Sequence, residues 1–148
     1  MDKDAERGTL SFSEKINIYL FISLFFYELA RASYWIVKPD LAINDSPLYV
    51  TLNETAPLWI WGFPFLLCAF CLLICALTLH RQAVGLVFSI AFLLSGIFGF
   101  ISHLLLSAAA INNSLNWITP VQNTALAVMF LLFTITGIEL LWKKITKR

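Results

Sequence analysis

The sequence predicts an all-α protein of the polytopic membrane class, in which four helices cross a bilayer as an antiparallel bundle. Two observations favour this class over a water-soluble domain. Hydrophobic residues make up 59% of the 148-residue chain and charged residues only 13%, whereas soluble domains average about 45–50% and about 25%. The apolar residues are also concentrated in four stretches, each long enough to cross a hydrocarbon layer of about 30 Å as a helix.

The predicted spans follow these four apolar stretches, each of which reaches the roughly 20 residues that a spanning helix needs. They cover about residues 16–36, 58–79, 83–110 and 117–142. The stretch 37–57 is predicted to be an external loop, and the other two connections are short, which favours antiparallel neighbours. No change in composition marks a second domain, so residues 1–148 are predicted to form a single membrane domain.

Lysine and arginine are distributed unequally between the two predicted sides of the membrane. The loop 37–57 has Lys38 as its only basic residue, together with three acidic residues. The other side has Lys3, Arg7, Lys15, Arg81, Lys143, Lys144, Lys147 and Arg148. Because basic residues in short loops favour the cytoplasm, the N- and C-termini are both predicted to be cytoplasmic.

Ionisable residues inside the spans are the strongest indication of a functional site, because an unpaired charge in lipid is costly. Glu28 and Arg31 lie three residues apart on one helix face and can form a salt bridge. His103 and Asn123 are expected at a similar depth. These four residues are therefore predicted to form an intramembrane polar cluster, which other nearby polar residues can complete. The additional candidates are Tyr27, Tyr34, Ser102 and Gln122.

Two interpretations of this cluster stay open. In one, the cluster lines a hydrated vestibule, a binding site or a proton-linked site in the external half of the membrane. In the other, its polar groups satisfy one another and fix the register of the helices. We favour the second, because buried polar groups can serve structural specificity alone.

Small residues recur on one face of the third span, at spacings of three, four and seven residues. They include Gly85, Ser89, Gly96 and Gly99. Small residues let two membrane helices approach closely. This face is therefore predicted to contact another helix, within the same bundle by default or in a second subunit.

The sequence contains none of the motifs that would indicate catalysis, such as G-x-S-x-G, H-E-x-x-H or a phosphate-binding loop. Cys68, Cys71 and Cys75 form a stripe on the second span without a neighbouring histidine or carboxylate, which favours packing over metal binding. No catalytic residue, cofactor or metal ligand is therefore predicted. Intramembrane catalysis by Glu28 and His103 is the least favoured hypothesis.

One segment resembles a group of known proteins. Ser46-Pro47-Leu48-Tyr49, then Leu52, then Pro57-Leu58-Trp59-Ile60-Trp61-Gly62 resembles small four-helix membrane proteins encoded by phages and prophages. In those proteins a similar short external segment leads into a second helix that a Trp-Gly pair opens. The resemblance covers residues 46–62 and the layout of the spans. It implies a location in the bacterial cytoplasmic membrane, and it implies neither an activity nor site residues.

These observations predict an integral membrane protein without enzymatic activity, acting as an accessory, scaffold or exclusion-type factor. Its expected partners are the lipid bilayer and either another membrane protein or further copies of itself, through residues 38–56 and the small-residue face. The net charge of +1, without a basic stripe, argues against a nucleic-acid partner. The alternative prediction is an oligomeric holin-like or ion-conducting pore, because charged groups inside a membrane commonly line water-filled paths.

Overall fold

The structure is a computed structural model that describes residues 10–79, 85–113 and 116–146. Within these ranges the chain forms helices and no strands, which confirms the predicted all-α class. The helices are α1 (Phe12–Val37), α2 (Pro39–Asp45), α3 (Pro47–Thr55), α4 (Leu58–Thr78), α5 (Leu86–Asn113) and α6 (Ile118–Ile145).

Helices α1, α4, α5 and α6 are long and apolar enough to cross a membrane, which confirms the predicted number of candidate spans. Helix α1 begins at Phe12, four residues before the predicted start of the first span. A capping box sets this start: Ser11 Oγ accepts a hydrogen bond from Glu14 N, and Ser11 N donates one to the Glu14 carboxylate. The predicted turn at 80–82 and the predicted start of the third span at 83 lie outside the described residues.

The connection between the first two spans, predicted as a loop over residues 37–57, is mostly helical. Pro39 and Pro47 occupy the first positions of α2 and α3, where a missing N–H costs no helical hydrogen bond. Ser46 Oγ accepts a hydrogen bond from Leu48 N at 3.3 Å and so caps α3. Local capping therefore folds this segment where its mixed composition indicated a loop.

The long helices pack in the order α1 on α4, α4 on α5, and α5 on α6. Close approaches occur at glycines: an added Cβ would lie 2.7 Å from Ile36 at Gly62 and 2.8 Å from the Leu93 backbone at Gly137. Within the described residues, no Cα of α1 lies within 8 Å of a Cα of α5 or of α6. Helix α1 therefore reaches those two helices only through side chains.

The buried apolar residues form two clusters. One lies at the end of the helices that α2 and α3 cover, called the α2–α3 end below, and it includes Ala32, Leu58 and Leu106. The other lies deeper along the helices and includes Leu24 and Phe92. Glu28 of α1 and His103 of α5 fall between these two apolar clusters.

Candidate functional site

Three polar side chains from three different helices are fully buried between the two apolar clusters. Glu28 of α1 and His103 of α5 have 0% exposure, and Asn123 of α6 has 1%. His103 lies between the other two: its Nε2 is 2.9 Å from Glu28 Oε1, and its Nδ1 is 3.0 Å from Asn123 Oδ1. The imidazole ring thus bridges α1 and α6 through the interior of the protein.

The orientation of the Asn123 amide follows from its other hydrogen bonds. Its Oδ1 accepts a hydrogen bond from Arg31 Nη1 at 3.0 Å, and its Nδ2 donates to the Thr119 carbonyl at 2.8 Å. A flipped amide would set two donors against each other at Arg31 and two acceptors against each other at Thr119. Because Oδ1 can only accept, His103 Nδ1 carries a hydrogen and donates it to Asn123.

This tautomer determines the chemistry of the contact between Glu28 and His103. With a hydrogen on Nδ1, a neutral ring presents a lone pair at Nε2, so one shared proton must lie between Nε2 and Glu28 Oε1. The pair is then a neutral acid and neutral imidazole, or a carboxylate and an imidazolium. In either case its total charge is zero. Glu28 Oε2 has no hydrogen-bond partner in the described part of the chain, so Oε1 makes the only hydrogen bond of this carboxyl group among the described residues.

Arg31 forms different contacts from those that its spacing in the sequence suggested. Its Nη2 donates to the Tyr27 hydroxyl oxygen at 2.7 Å, and its Cζ lies 5.0 Å from the Tyr27 ring centroid and 5.4 Å from that of Phe65. Among the described residues no Arg31 nitrogen lies within 4.0 Å of a Glu28 oxygen. The salt bridge suggested within α1 is therefore not formed, and Asn123 and His103 separate the two side chains.

Aromatic rings enclose His103. The Phe130 ring stacks on it, with centroids 5.6 Å apart and an interplanar angle of 8°. The Phe65 ring meets it edge-on at 5.4 Å. These contacts fix the plane of the imidazole, so the ring can form hydrogen bonds only along the line between Glu28 and Asn123.

The predicted small-residue face of α5 lies largely against α6. A Cβ added at Gly96 would lie 2.5 Å from Thr134 N, and one added at Gly99 would lie 2.4 Å from Phe130 Cγ. Ser89 is fully buried and its Oγ donates to the Gly85 carbonyl. A Cβ added at Gly85 would meet no atom within 4 Å among the described residues beyond its chain neighbours. The close approach at Gly99 also makes room for the Phe130 ring beside His103.

The structure brings Glu28, Arg31, His103 and Asn123 into one network and adds Tyr27 and Gln122 to it. Of the other candidates, Tyr34 hydrogen-bonds Asp45 instead, and the buried Ser102 hydroxyl has no partner in the described part of the chain. Three further residues belong to the site and were not predicted from the sequence: Thr119, Phe65 and Phe130. Only Thr119 left a signal, since it precedes Asn123 by one helical turn.

Among the described residues, no three His, Cys, Asp or Glu side chains lie close enough together to hold a metal ion. Fold and site together define a helical protein with four candidate membrane spans and a buried polar network that joins three of them. Comparison with protein families, with curated proteins and with solved structures found no match to this chain.

Proposed function

We propose that the four long helices form an antiparallel bundle across a bacterial cytoplasmic membrane, with both termini in the cytoplasm. The charges of the helix ends support this orientation. Lys143 and Lys144 lie in the last turn of α6, whereas the α2–α3 end has Lys38 beside Asp40 and Asp45. Basic residues are retained on the cytoplasmic side, so α2 and α3 would face the outside.

In this proposal the protein has no enzymatic activity and acts as an accessory, scaffold or exclusion-type factor by contacting another membrane component. The observation that supports it best is the mutual pairing of Glu28, His103 and Asn123 inside one chain. Side chains that bind one another link helices, whereas a catalytic group must be able to reach a substrate. The network then serves to hold a rigid bundle that presents a fixed outer surface.

The segment α2–α3 is the surface that we assign to this contact. Its inner side is anchored, because Leu48 is 2% exposed and the Trp61 indole donates to the Leu52 carbonyl at 3.2 Å. Its outer side exposes apolar side chains at Leu41 and Val50. A rigid element with exposed apolar residues and a polar surround is typical of a protein-binding surface.

The small-residue face of α5 has less to offer another subunit, since Gly96 and Gly99 approach α6 of the same chain. The alternative, an oligomeric pore, requires polar side chains turned toward neighbouring copies, whereas Glu28, His103 and Asn123 are directed inward. Ion flux through liposomes that contain the purified protein would favour the pore over the contact function.

Site-specific photo-crosslinking in cells tests the proposed contact surface. A photoreactive residue at Val50 or at Leu41 should give a protein adduct of discrete mass. The same probe at Leu77, which is exposed on α4 but remote from α2 and α3, is the matched control. A Val50→Lys substitution should abolish the adduct formed from position 41. Adducts that form equally from all three positions, or from none, would contradict the proposal.

A further inference from the structure

Arg31 has a positive charge that no acidic side chain balances. Among the described residues, no carboxylate oxygen lies within 4.0 Å of its guanidinium group. Glu28, the nearest acidic residue along the helix, shares one proton with His103, so that pair contributes no net charge. The network as a whole therefore has a charge of +1, located on Arg31, inside a candidate membrane span.

The groups around Arg31 offer hydrogen-bond donors and no compensating charge. The Tyr27 hydroxyl oxygen already accepts hydrogen bonds from Arg31 Nη2 at 2.7 Å and from Gln122 Nε2 at 3.4 Å. Its own O–H therefore has no acceptor in the described part of the chain. Arg31 and Tyr27 are half-buried and Gln122 is exposed, so this set of donors reaches the protein surface. Such a set is complementary to an anion.

These donors lie in the gap between α1 and α6, whose Cα atoms nowhere come within 8 Å of one another. Arg31 is six residues from the end of α1 at Val37, and Gln122 is four residues from the start of α6 at Ile118, or about 9 Å and about 6 Å along the helices. The Arg31 guanidinium group itself lies against Tyr27, one helical turn nearer the middle of α1, and donates to Asn123, the residue after Gln122. Val121, beside Gln122, is 63% exposed and adds apolar surface for acyl chains.

We propose that Arg31, Tyr27 and Gln122 bind the phosphate of an anionic phospholipid at the α2–α3 end of the membrane. A lipid with one net negative charge neutralises the network, whereas the phosphate of a zwitterionic lipid already has its own cation. The apolar flank and the depth below the helix ends select a lipid over a free anion. This inference rests on the proposed position of the helices in a membrane, but it is independent of the proposed contact function because it concerns a lipid and a different surface.

Native mass spectrometry of the full-length protein in a neutral detergent tests the proposal directly. The protein is titrated with phosphatidylglycerol and with phosphatidylcholine of the same acyl chains, and the first binding step is compared. We expect the anionic lipid to bind roughly tenfold more tightly, the contribution of one charge-assisted contact. Arg31→Gln should remove this preference. Lys143→Gln lowers the net charge equally, far from the site, and should leave the preference intact.

A second variant keeps the test valid if Arg31→Gln does not fold. Gln122→Glu places a carboxylate on an exposed position beside Tyr27 and Arg31, where it supplies the missing negative charge from within the chain. It should fold, because it satisfies Arg31, and it should lose the preference for phosphatidylglycerol. Gln122→Lys adds a cation at the same position and should strengthen that preference.

Four results would overturn the proposal. The wild-type protein would bind both lipids equally, or Gln122→Glu would keep the wild-type preference, or excess inorganic phosphate would displace the bound phosphatidylglycerol. The last result would show that the site takes a free anion instead of a lipid. Equal loss of the preference in Lys143→Gln would also contradict it, since the preference would then reflect net charge alone.

Discussion

His103 Nε2 lies 2.9 Å from Glu28 Oε1, although 75 positions separate the two residues in the chain and both side chains are fully buried. The contact joins α1 to α5, two helices whose Cα atoms nowhere come within 8 Å of each other in the described residues. Polar contacts of this kind in membrane proteins average about 0.6 kcal/mol. Their greater effect is on specificity, because any other register leaves both groups without a partner.

The first prediction concerns the shared proton between these two residues. Glu28→Gln retains a neutral donor opposite His103 Nε2, so its free energy of unfolding should stay within about 1 kcal/mol of the wild-type value. Glu28→Ala leaves Nε2 unpaired and opens a cavity, and it should lower that free energy by about 2–4 kcal/mol. Reversible unfolding in detergent, followed by tryptophan fluorescence, measures both values.

Ser33→Ala is the control for this comparison, because Ser33 is an exposed residue of the same helix. It should unfold like the wild-type protein. If Glu28→Gln were as destabilising as Glu28→Ala, the carboxylate charge itself would be required. The pair would then be an ion pair in which His103 is protonated at both nitrogens.

The second prediction concerns the tautomer of His103. Because Asn123 Oδ1 accepts hydrogen bonds from Arg31 and from His103, the neutral imidazole of His103 should carry its hydrogen on Nδ1. Nitrogen-15 NMR of labelled histidine, in a His80→Gln background that leaves one histidine, measures this directly. A neutral ring protonated only at Nε2 would contradict the assigned orientation of the Asn123 amide.

Asn123→Leu is the matched variant for that measurement. It removes the acceptor from both Arg31 and His103, so the fixed protonation of Nδ1 should be lost. Retention of the wild-type Nδ1 signal in this variant would show that Asn123 does not determine the tautomer.

The four candidate spans could be predicted from the sequence because each is a long apolar run, and apolar length alone decides whether a helix can cross a membrane. The members of the polar network were also identifiable, since Glu28, His103 and Asn123 each interrupt such a run. Which of these residues pair with one another could not be predicted from the sequence. Spacing along one helix favoured Glu28 with Arg31, but packing of α1, α5 and α6 brought His103 and Asn123 between the two.

Two other features could be predicted only in part: the helices α2 and α3, and the helix that the small-residue face of α5 contacts. The helices α2 and α3 lie in a segment of mixed composition, and only Pro39, Pro47 and the cap at Ser46 indicated them. The small face of α5 was readable as a contact surface. That this face contacts α6 depends on how the helices are arranged. Residue spacing within α5 does not determine that arrangement.

The third prediction concerns the close approach of α5 and α6. Gly99→Ala places a Cβ about 2.4 Å from Phe130 Cγ, so the ring beside His103 must move. We expect a loss of about 1–3 kcal/mol in the free energy of unfolding, the usual effect of overpacking. The unfolding assay described for Glu28 measures it. Gly85→Ala is the control, because no atom of the described residues beyond its chain neighbours lies within 4 Å of the added Cβ.

A smaller side chain at position 130 should reduce the destabilisation caused by Gly99→Ala. In the double variant Gly99→Ala with Phe130→Leu, the side chain opposite the new methyl group is less bulky. Its unfolding free energy should be higher than the sum of the two separate losses predicts. Strict additivity would show that Gly99 and Phe130 are not in direct contact.

The fourth prediction concerns α3 and the proposed contact surface. Ser46→Ala removes the hydroxyl that caps Leu48 N, which should destabilise α3 by about 1 kcal/mol. Hydrogen exchange read by mass spectrometry should accelerate over residues 47–55, while the exchange of α5 stays unchanged, because the loss is confined to one helix end.

Thr51→Val is the control for that measurement, since it removes a hydroxyl from the interior of the same helix, where its hydrogen bond to the Pro47 carbonyl caps no N–H group. If Ser46→Ala accelerated exchange no more than Thr51→Val, the cap would not hold α3. If exchange accelerated throughout α1 and α4 as well, α3 would be part of the cooperative core. Acceleration confined to residues 47–55 would show that the Ser46 cap keeps α3 ordered for the proposed contact, while the spans beneath it stay unchanged.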